Sequence, residues 1–390
     1  MRRTYDESDV KIRAGRKKRP RTKDRPDYSS EDVGLVIETD RGRCQVLTPN
    51  PFINAHSFKS INGDNTSHYS THAELPANSK THPIVLNSMK ARELGRQSVV
   101  VGDYVRVVGD LSGEEGTLAR IVEVIPRRNS LARTVDDGFS VEKTIVSNID
   151  QLAIVIAAAN PEPRHGFIDR ALVVAFDQGI KPIIIVTKCD LADPTEFLSM
   201  YKDLEIDIYK TNSLSTLLKS ADNSDALLEK TLENEEIAKL REVFNGKMSV
   251  LLGHSGVGKS TLVNVLLGSF ARQTGGVNDV TVRGRHTSSN ASAFELPLPA
   301  RGAAGSDSET ANSSQQAGWI IDTPGVRSFG LSHVDKKRVL GSFSEFAQLL
   351  EKCPKNCSHN EAGCALSEIE DSGDASALSR LESLRRILLA

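Results

Sequence analysis

The chain has 390 residues and a mass of 42.4 kDa, enough for two or three domains and a sizeable buried core. It is 38% hydrophobic and 26% charged with a formal net charge of −2, and no apolar run approaches the roughly 20 residues of a membrane helix. These features exclude a helical membrane span, and five cysteines, three of them clustered, exclude a disulfide scaffold. MRRTYDESDVKIR lacks the apolar centre of a secretory signal, so the expectation is a soluble, cytoplasmic chain, most simply a monomer.

Residues 1–30 read as a disordered basic tail. Eleven Lys or Arg against four acids between residues 1 and 26 give this segment +7 and leave −9 for the remainder. Almost without apolar side chains, it has nothing with which to build a core and is drawn to phosphate backbones; a solubilising tail is the alternative. Residues 31–130 alternate as strands do, in VGLVIET, RCQVLT, QSVVVGDYVRVVGD and GTLARIVEVIP. A five-stranded oligonucleotide-binding (OB) barrel that contacts RNA is one candidate, and any small all-β module fits the same pattern. Phe52–Lys80 reads as a long polar loop, whose His56, His68 and His72, with His82 beyond, lack metal-ligand spacing. RRNSLARTVDDGFS reads as a short link.

From 145 to 330 the pattern changes to apolar runs, LAIVIAAA, IIIV, SVLL and WII, separated by helical stretches at Phe167–Gly179 and Thr261–Leu267. Such runs alternating with helices predict a mostly parallel sheet covered on both faces, an α/β domain. Residues 288–317, rich in Ser, Ala and Gly, read as a flexible insertion belonging to no element.

Three motifs sit at the ends of these runs, and a fourth follows the short run IDIY. Thr187-Lys188-Cys189-Asp190 resembles the Asn-Lys-x-Asp base-reading motif of GTPases: Asp190 accepts from guanine N1–H and the exocyclic amine, the stem of Lys188 covers the base, and Thr187 stands where Asn is usual. Thr211-Asn212-Ser213 takes the place of the next guanine-contacting loop. Gly253-His254-Ser255-Gly256-Val257-Gly258-Lys259-Ser260, with Thr261 next, satisfies G-x-x-x-x-G-K-[ST] between a strand and a helix. Its backbone N–H groups cradle phosphates, Lys259 reaches the β/γ-phosphates and Ser260 binds Mg²⁺ at the positive helix end. Asp322-Thr323-Pro324-Gly325 follows WII; Asp322 there holds Mg²⁺ through water and the Gly325 N–H senses a γ-phosphate.

Between these two lies the expected second Mg²⁺ ligand, Thr287, with Thr281 as competitor. Val326 stands where a water-orienting Gln would be, so intrinsic hydrolysis is expected to be slow, with His286 the nearest water-positioner in the chain and His254 pointing away from the γ-phosphate. The base-reading motif precedes the phosphate loop, the reverse of the ordinary order, which predicts a circularly permuted domain whose switch region leads directly into the C-terminal module.

That module, 331–390, carries Cys353, Cys357, His359 and Cys364, a complete tetrahedral Zn²⁺ set with no open position. A structural site stapling a small α-helical module is expected, closed by the amphipathic SALSRLESLRRILL. Cys44 and Cys189 read as packing residues.

Taken in order, the barrel, TKCD, GHSGVGKS, GRHTSS, DTPGVRSFGL and the Cys-Cys-His-Cys cluster resemble the ribosome small-subunit-dependent GTPase A family, RsgA or YjeQ, over residues 31–365. The resemblance implies an OB barrel, a permuted GTPase and a zinc domain. It also implies GTP hydrolysis to GDP stimulated by the small ribosomal subunit, late in that subunit's maturation, through rRNA binding. Tighter cysteine spacings, the insertion and the basic tail are departures from the family pattern. A nucleotide-gated RNA- or protein-binding tether with incidental hydrolysis is the alternative, and Asp190 opposes a third reading as an ATPase.

Overall fold

The computed structural model describes residues 28–40, 42–52, 83–135, 141–204, 206–212, 214–270, 291–297, 317–323, 336–341, 343–361 and 363–389. The basic tail, save its last few residues, and the histidines of the polar loop lie outside them.

β1 (Val33–Asp40), β2 (Arg43–Thr48), β3 (Ile84–Lys90), β4 (Tyr104–Gly109) and β5 (Ala119–Val124) form the N-terminal barrel. Their order is β1-β2-β3-β5-β4, and β4 pairs again with β1 to close the ring. β3 and β5 run parallel, the other pairs antiparallel, which is the Greek-key closure of an OB barrel. Alternation directs Val36, Val46, Leu86, Val105, Val107 and Ile121 inward. β3 (IVLNSMK) is the strand the sequence reading passed over, because Asn87 and Ser88 interrupt its apolar pattern.

RRNSLARTVDDGFS is not a plain link. β6 (Ser130–Val135) and β7 (Val141–Ser147) form a hairpin of their own. Val146 bridges to Val101 of the barrel, and Gly102 (φ +89°) lies so close to the hairpin that a Cβ would sit 2.0 Å from Ser147 O. Buried Asp103 fastens this junction with four bonds, from Arg127 Nε (2.7 Å) and Nη2 (2.9 Å), Ser147 Oγ (2.6 Å) and Val100 N (2.8 Å). Register with the barrel, invisible to a pattern search on the segment, makes the hairpin.

β8 (Gln151–Ala157), α1 (His165–Asp177), β9 (Lys181–Thr187), α2 (Thr195–Leu198), β10 (Asp207–Lys210), α3 (Leu214–Lys219), α4 (Ser224–Leu232), α5 (Glu235–Phe244), β11 (Met248–Leu252), α6 (Lys259–Leu267), β12 (Ser292–Glu295) and β13 (Trp319–Asp322) follow. The sheet order β10-β9-β8-β11-β13 is parallel throughout, with β12 antiparallel beside β13. β8 and β11 are buried at every position, as expected of strands covered on both faces. Alternate residues supply two cores: Leu152, Ile154 and Val250 face α1, while Ala153, Val155 and Leu251 face α3 to α6.

β12 corrects the reading of 288–317 as a segment without structure. Ser292–Glu295 pairs with β13 and touches β1 through Glu38 and Ser292, joining the two sheets, while Ala291 and Leu296 are buried on either side. A four-residue strand in a Ser/Ala-rich stretch has no local signature and exists because β13 offers an edge.

α7 (Lys336–Gly341), α8 (Ala347–Leu350), α9 (Ser367–Ser372) and α10 (Ala375–Leu389) make up the C-terminal part. Phe343, Leu381, Leu384 and Ile387 pack into the core that faces α1.

Candidate functional site: a phosphate loop, a base loop and a thiol cluster

Because β8, β9, β11 and β13 run parallel, their carboxyl ends bring the loops after residues 157, 187, 252 and 322 to one edge of the sheet. Such an edge is where open α/β sheets bind ligands. The strand order also places the Thr187–Asp190 loop, expected to read a base, beside the Gly253–Ser260 loop, which comes more than sixty residues later and is expected to cradle phosphates.

The phosphate loop spans the gap between β11 and α6. Gly253 is obligatory, since a Cβ there would lie 2.4 Å from Val155 O on β8, a backbone atom that cannot step aside. Gly256 and Gly258 hold φ of +83° and +94°, and Gly258 is the N-cap of α6. A loop that ends at a free helix N-terminus presents N–H groups and positive potential to an anion. Lys259 Nζ donates to Gly253 O and, at 2.9 Å, to His254 O. Burial holds its pKa below the usual lysine range, against the opposing charge of Asp322. Ser260 and Thr261 follow in the first turn. Asp322 ends β13 in a buried position, and Thr323 Oγ1 donates to Leu251 O at 3.0 Å, fixing the start of that loop against β11.

Thr187 and Lys188 tie the base loop to the phosphate loop. The buried Thr187 hydroxyl lies 2.5 Å from Val257 O and 3.2 Å from Ile156 O. Lys188, at φ +58°, donates to Gly256 O at 2.8 Å and to Asn160 O. The Thr187 side chain therefore ties the two loops together. Thr211 N and Oγ1 bond Val186 O at 2.8 and 3.2 Å, and Thr211 O receives Cys189 N, so the next loop stands beside the first. Asn212 is held from α5 by Glu236, with contacts of 3.1 Å to its backbone N and side-chain amide. Asp190 is exposed at the mouth. His286, Thr287, Thr281, Gly325 and Val326 lie outside the described residues.

A cavity of about 310 Å³ separates the phosphate loop from the start of α1, lined by Ile156, Pro161, Arg164, Phe167, His254 and Val257 among others. The His254 ring packs on Phe167 at 4.3 Å between centroids. Burial, then Arg164, Lys259 and Arg170, hold its pKa below the usual imidazole value. Asn160, Phe167 and Glu236 were not foreseen. Only their position at strand or helix ends facing the motif loops signals them, and that is known once the sheet order is.

In the C-terminal part the donor atoms of Cys353, Cys357, His359 and Cys364 all lie within 4.8 Å of one another. A tetrahedral ion with bonds of about 2.3 Å to sulfur and 2.05 Å to nitrogen sets edges of about 3.8 Å for S···S and 3.6 Å for S···N. The observed Cys353 Sγ to Cys364 Sγ distance is 3.8 Å, Cys353 Sγ to His359 Nδ1 is 3.6 Å and Cys364 Sγ to His359 Nδ1 is 3.9 Å. The donor set is a metal-binding cluster in both chemistry and size. Left-handed Asn356 and His359 (φ +64° and +63°) fold the short loop around it. Cys44 is buried in the barrel, its thiol pushed up to about 11 by burial and by Asp103, and Cys189 is half-buried; both stand apart from the cluster.

The family model described as RsgA GTPase matches residues 124–332, more than half of the chain and the whole of the strand-end site. The chain belongs to the RsgA GTPase family. Among curated RsgA proteins, the "Small ribosomal subunit biogenesis GTPase RsgA" of Pseudomonas aeruginosa (strain LESB58) is 35% identical over 279 residues, 71% of this chain and 72% of its own. The RsgA of Gemmatimonas aurantiaca is 32% identical over 290 residues, 74% of this chain and 83% of its own. A crystal structure of YjeQ from Thermotoga maritima shares the fold at a TM-score of 0.55 and 19% identity, covering 92% of this chain and 99% of that one. Among the described residues, no helix is long and apolar enough to cross a membrane.

Proposed function

We propose that this protein hydrolyses GTP to GDP and phosphate on the small ribosomal subunit, late in that subunit's maturation. In this reading the barrel of 31–130 and the basic tail of 1–30 grip rRNA, residues 145–330 carry the nucleotide, and 331–390 form a zinc-stapled module of a cytoplasmic monomer. The ribosomal part of this reading is supported by the names of its relatives, and the nucleotide part by the double tie from Thr187 and Lys188 to Val257 O and Gly256 O, which brings the two motif loops together.

In the mechanism Asp190 selects guanine, Lys188 covers the base, and the N–H groups from Gly253 to Thr261 receive the phosphates. Lys259 leaves the loop carbonyls for the β/γ-phosphates, where partial burial strengthens its attraction. Ser260, Asp322 and Thr287 would hold Mg²⁺, which when bound neutralises charge developing on the phosphates. Gly325 senses the γ-phosphate. With Val326 in the usual place of Gln, water must be oriented by His286 or by the activating particle. Zn²⁺ is the ion that three thiolates and one imidazole fit, and with four protein ligands its part is to hold the module together.

The test is GTP turnover by the purified chain alone and with small ribosomal subunits, with large subunits and ATP as controls. Stimulation by small subunits alone supports the reading. Slow turnover indifferent to every particle refutes it in favour of a nucleotide-gated tether.

A further inference from the structure

Two adjacent arginines of α10 reach in different directions. Arg385 Nε donates to the backbone carbonyl of His359 at 2.9 Å and its guanidinium also pairs with Glu370, which braces the cysteine loop. Arg386 turns toward α1, its Nε 2.7 Å from Asp169 Oδ2, and that carboxylate is 1% exposed. Around the pair, Tyr201 Oη donates to Asp169 Oδ1 at 3.3 Å, and the Arg386 guanidinium lies 5.2 Å from the centre of the Tyr201 ring. His165 Nδ1 meets the same hydroxyl at 2.9 Å, its ring stacked 4.0 Å from Phe197. Two residues before Asp169, the same helix presents Phe167 to His254 of the phosphate loop.

A buried carboxylate is costly to maintain unless its partner is held in place, so the ion pair with Arg386, whose guanidinium also lies over the Tyr201 ring, holds α1 against α10. The placement of α1 matters because Phe167 lies in the first turn and sets where the phosphate loop rests. We infer that α10 is a positioning element of the nucleotide site: Arg385 braces the Cys/His loop, Arg386 braces α1 through Asp169, and α1 holds the phosphate loop through Phe167 and His254. The C-terminal module thereby acts on GTP binding by packing as well as by its chain connection to the loop after Asp322. The inference rests on the GTPase reading and deepens it.

The test uses the full chain carrying D169N and R386M together, a pairing that leaves no lone charge buried. Binding of a fluorescent GTP analogue is measured beside thermal melting and metal content. With the fold and metal retained, affinity for the analogue is expected to fall about fivefold or more, with KM rising while kcat changes little. F167A is expected to weaken binding similarly. The two sets combined should weaken it by less than the product, since both act through α1. Parent-like affinity in a folded D169N/R386M protein overturns the inference, as do effects that multiply in full. Should that protein not fold, R386K supplies the same comparison, because a lysine keeps the charge but loses the planar guanidinium that lies over the Tyr201 ring. A parent chain that binds no GTP refutes the GTPase reading itself, whereas a parent that binds and a variant that binds equally well refute only the brace.

Discussion

Asp103→Asn is the sharpest test of how the barrel is joined to the rest of the molecule. Each carboxylate oxygen takes two donors: Oδ1 receives Arg127 Nε and Ser147 Oγ, and Oδ2 receives Arg127 Nη2 and Val100 N. An asparagine amide turns its NH₂ toward one pair or the other, so in either orientation two donors lose their acceptor, at least one of them from Arg127. Lost bonds to a charged group are worth about 1.5–3 kcal/mol each, and rotation of the Ser147 hydroxyl recovers part of that, so the expected loss is about 3–4 kcal/mol. The assay is urea unfolding followed by the single tryptophan, Trp319 in β13, alongside circular dichroism of the whole chain. Separation of the two transitions would show the barrel loosening ahead of the nucleotide-binding sheet. A coincident transition with a loss below about 1 kcal/mol would refute the argument that this carboxylate fastens the junction.

Further outcomes are expected elsewhere. Asp190→Asn should erode the preference for GTP over ATP in competition binding, and unchanged preference would remove Asp190 as the base reader. Gly253→Ala should abolish nucleotide binding and lower the melting temperature, because the added Cβ meets Val155 O at 2.4 Å. Cys357→Ser should release the metal, read by elemental analysis; burial and the neighbouring Cys364 raise the Cys357 thiol, so metal entry displaces protons and retention should weaken as pH falls. His254 has a folded pKa below its unfolded value, so its contribution to stability is present above about pH 6.5 and is lost as pH falls below it. His254→Gln should accordingly flatten the fall in melting temperature between pH 7 and 5, and an unchanged slope would count against that assignment.

Sequence alone determined the features that depend on a few residues at fixed spacing. Gly253–Ser260 announces its turn and helix start because the glycines supply conformations other residues rarely adopt, and three cysteines and a histidine in twelve residues can converge without help from the fold. Buried parallel strands such as β8 and β11 were legible because burial on both faces demands an unbroken apolar run. The tertiary structure decided what depends on a partner remote in sequence. β12 is a strand only because β13 and β1 offer edges, and the β6–β7 hairpin keeps its place only because Asp103 and Gly102 receive it. Likewise Thr187 meets Val257, and Arg386 meets Asp169, across 70 and more than 200 residues. Local propensity carries no information about such encounters, because they are set by strand order and by which faces of two helices are buried against each other.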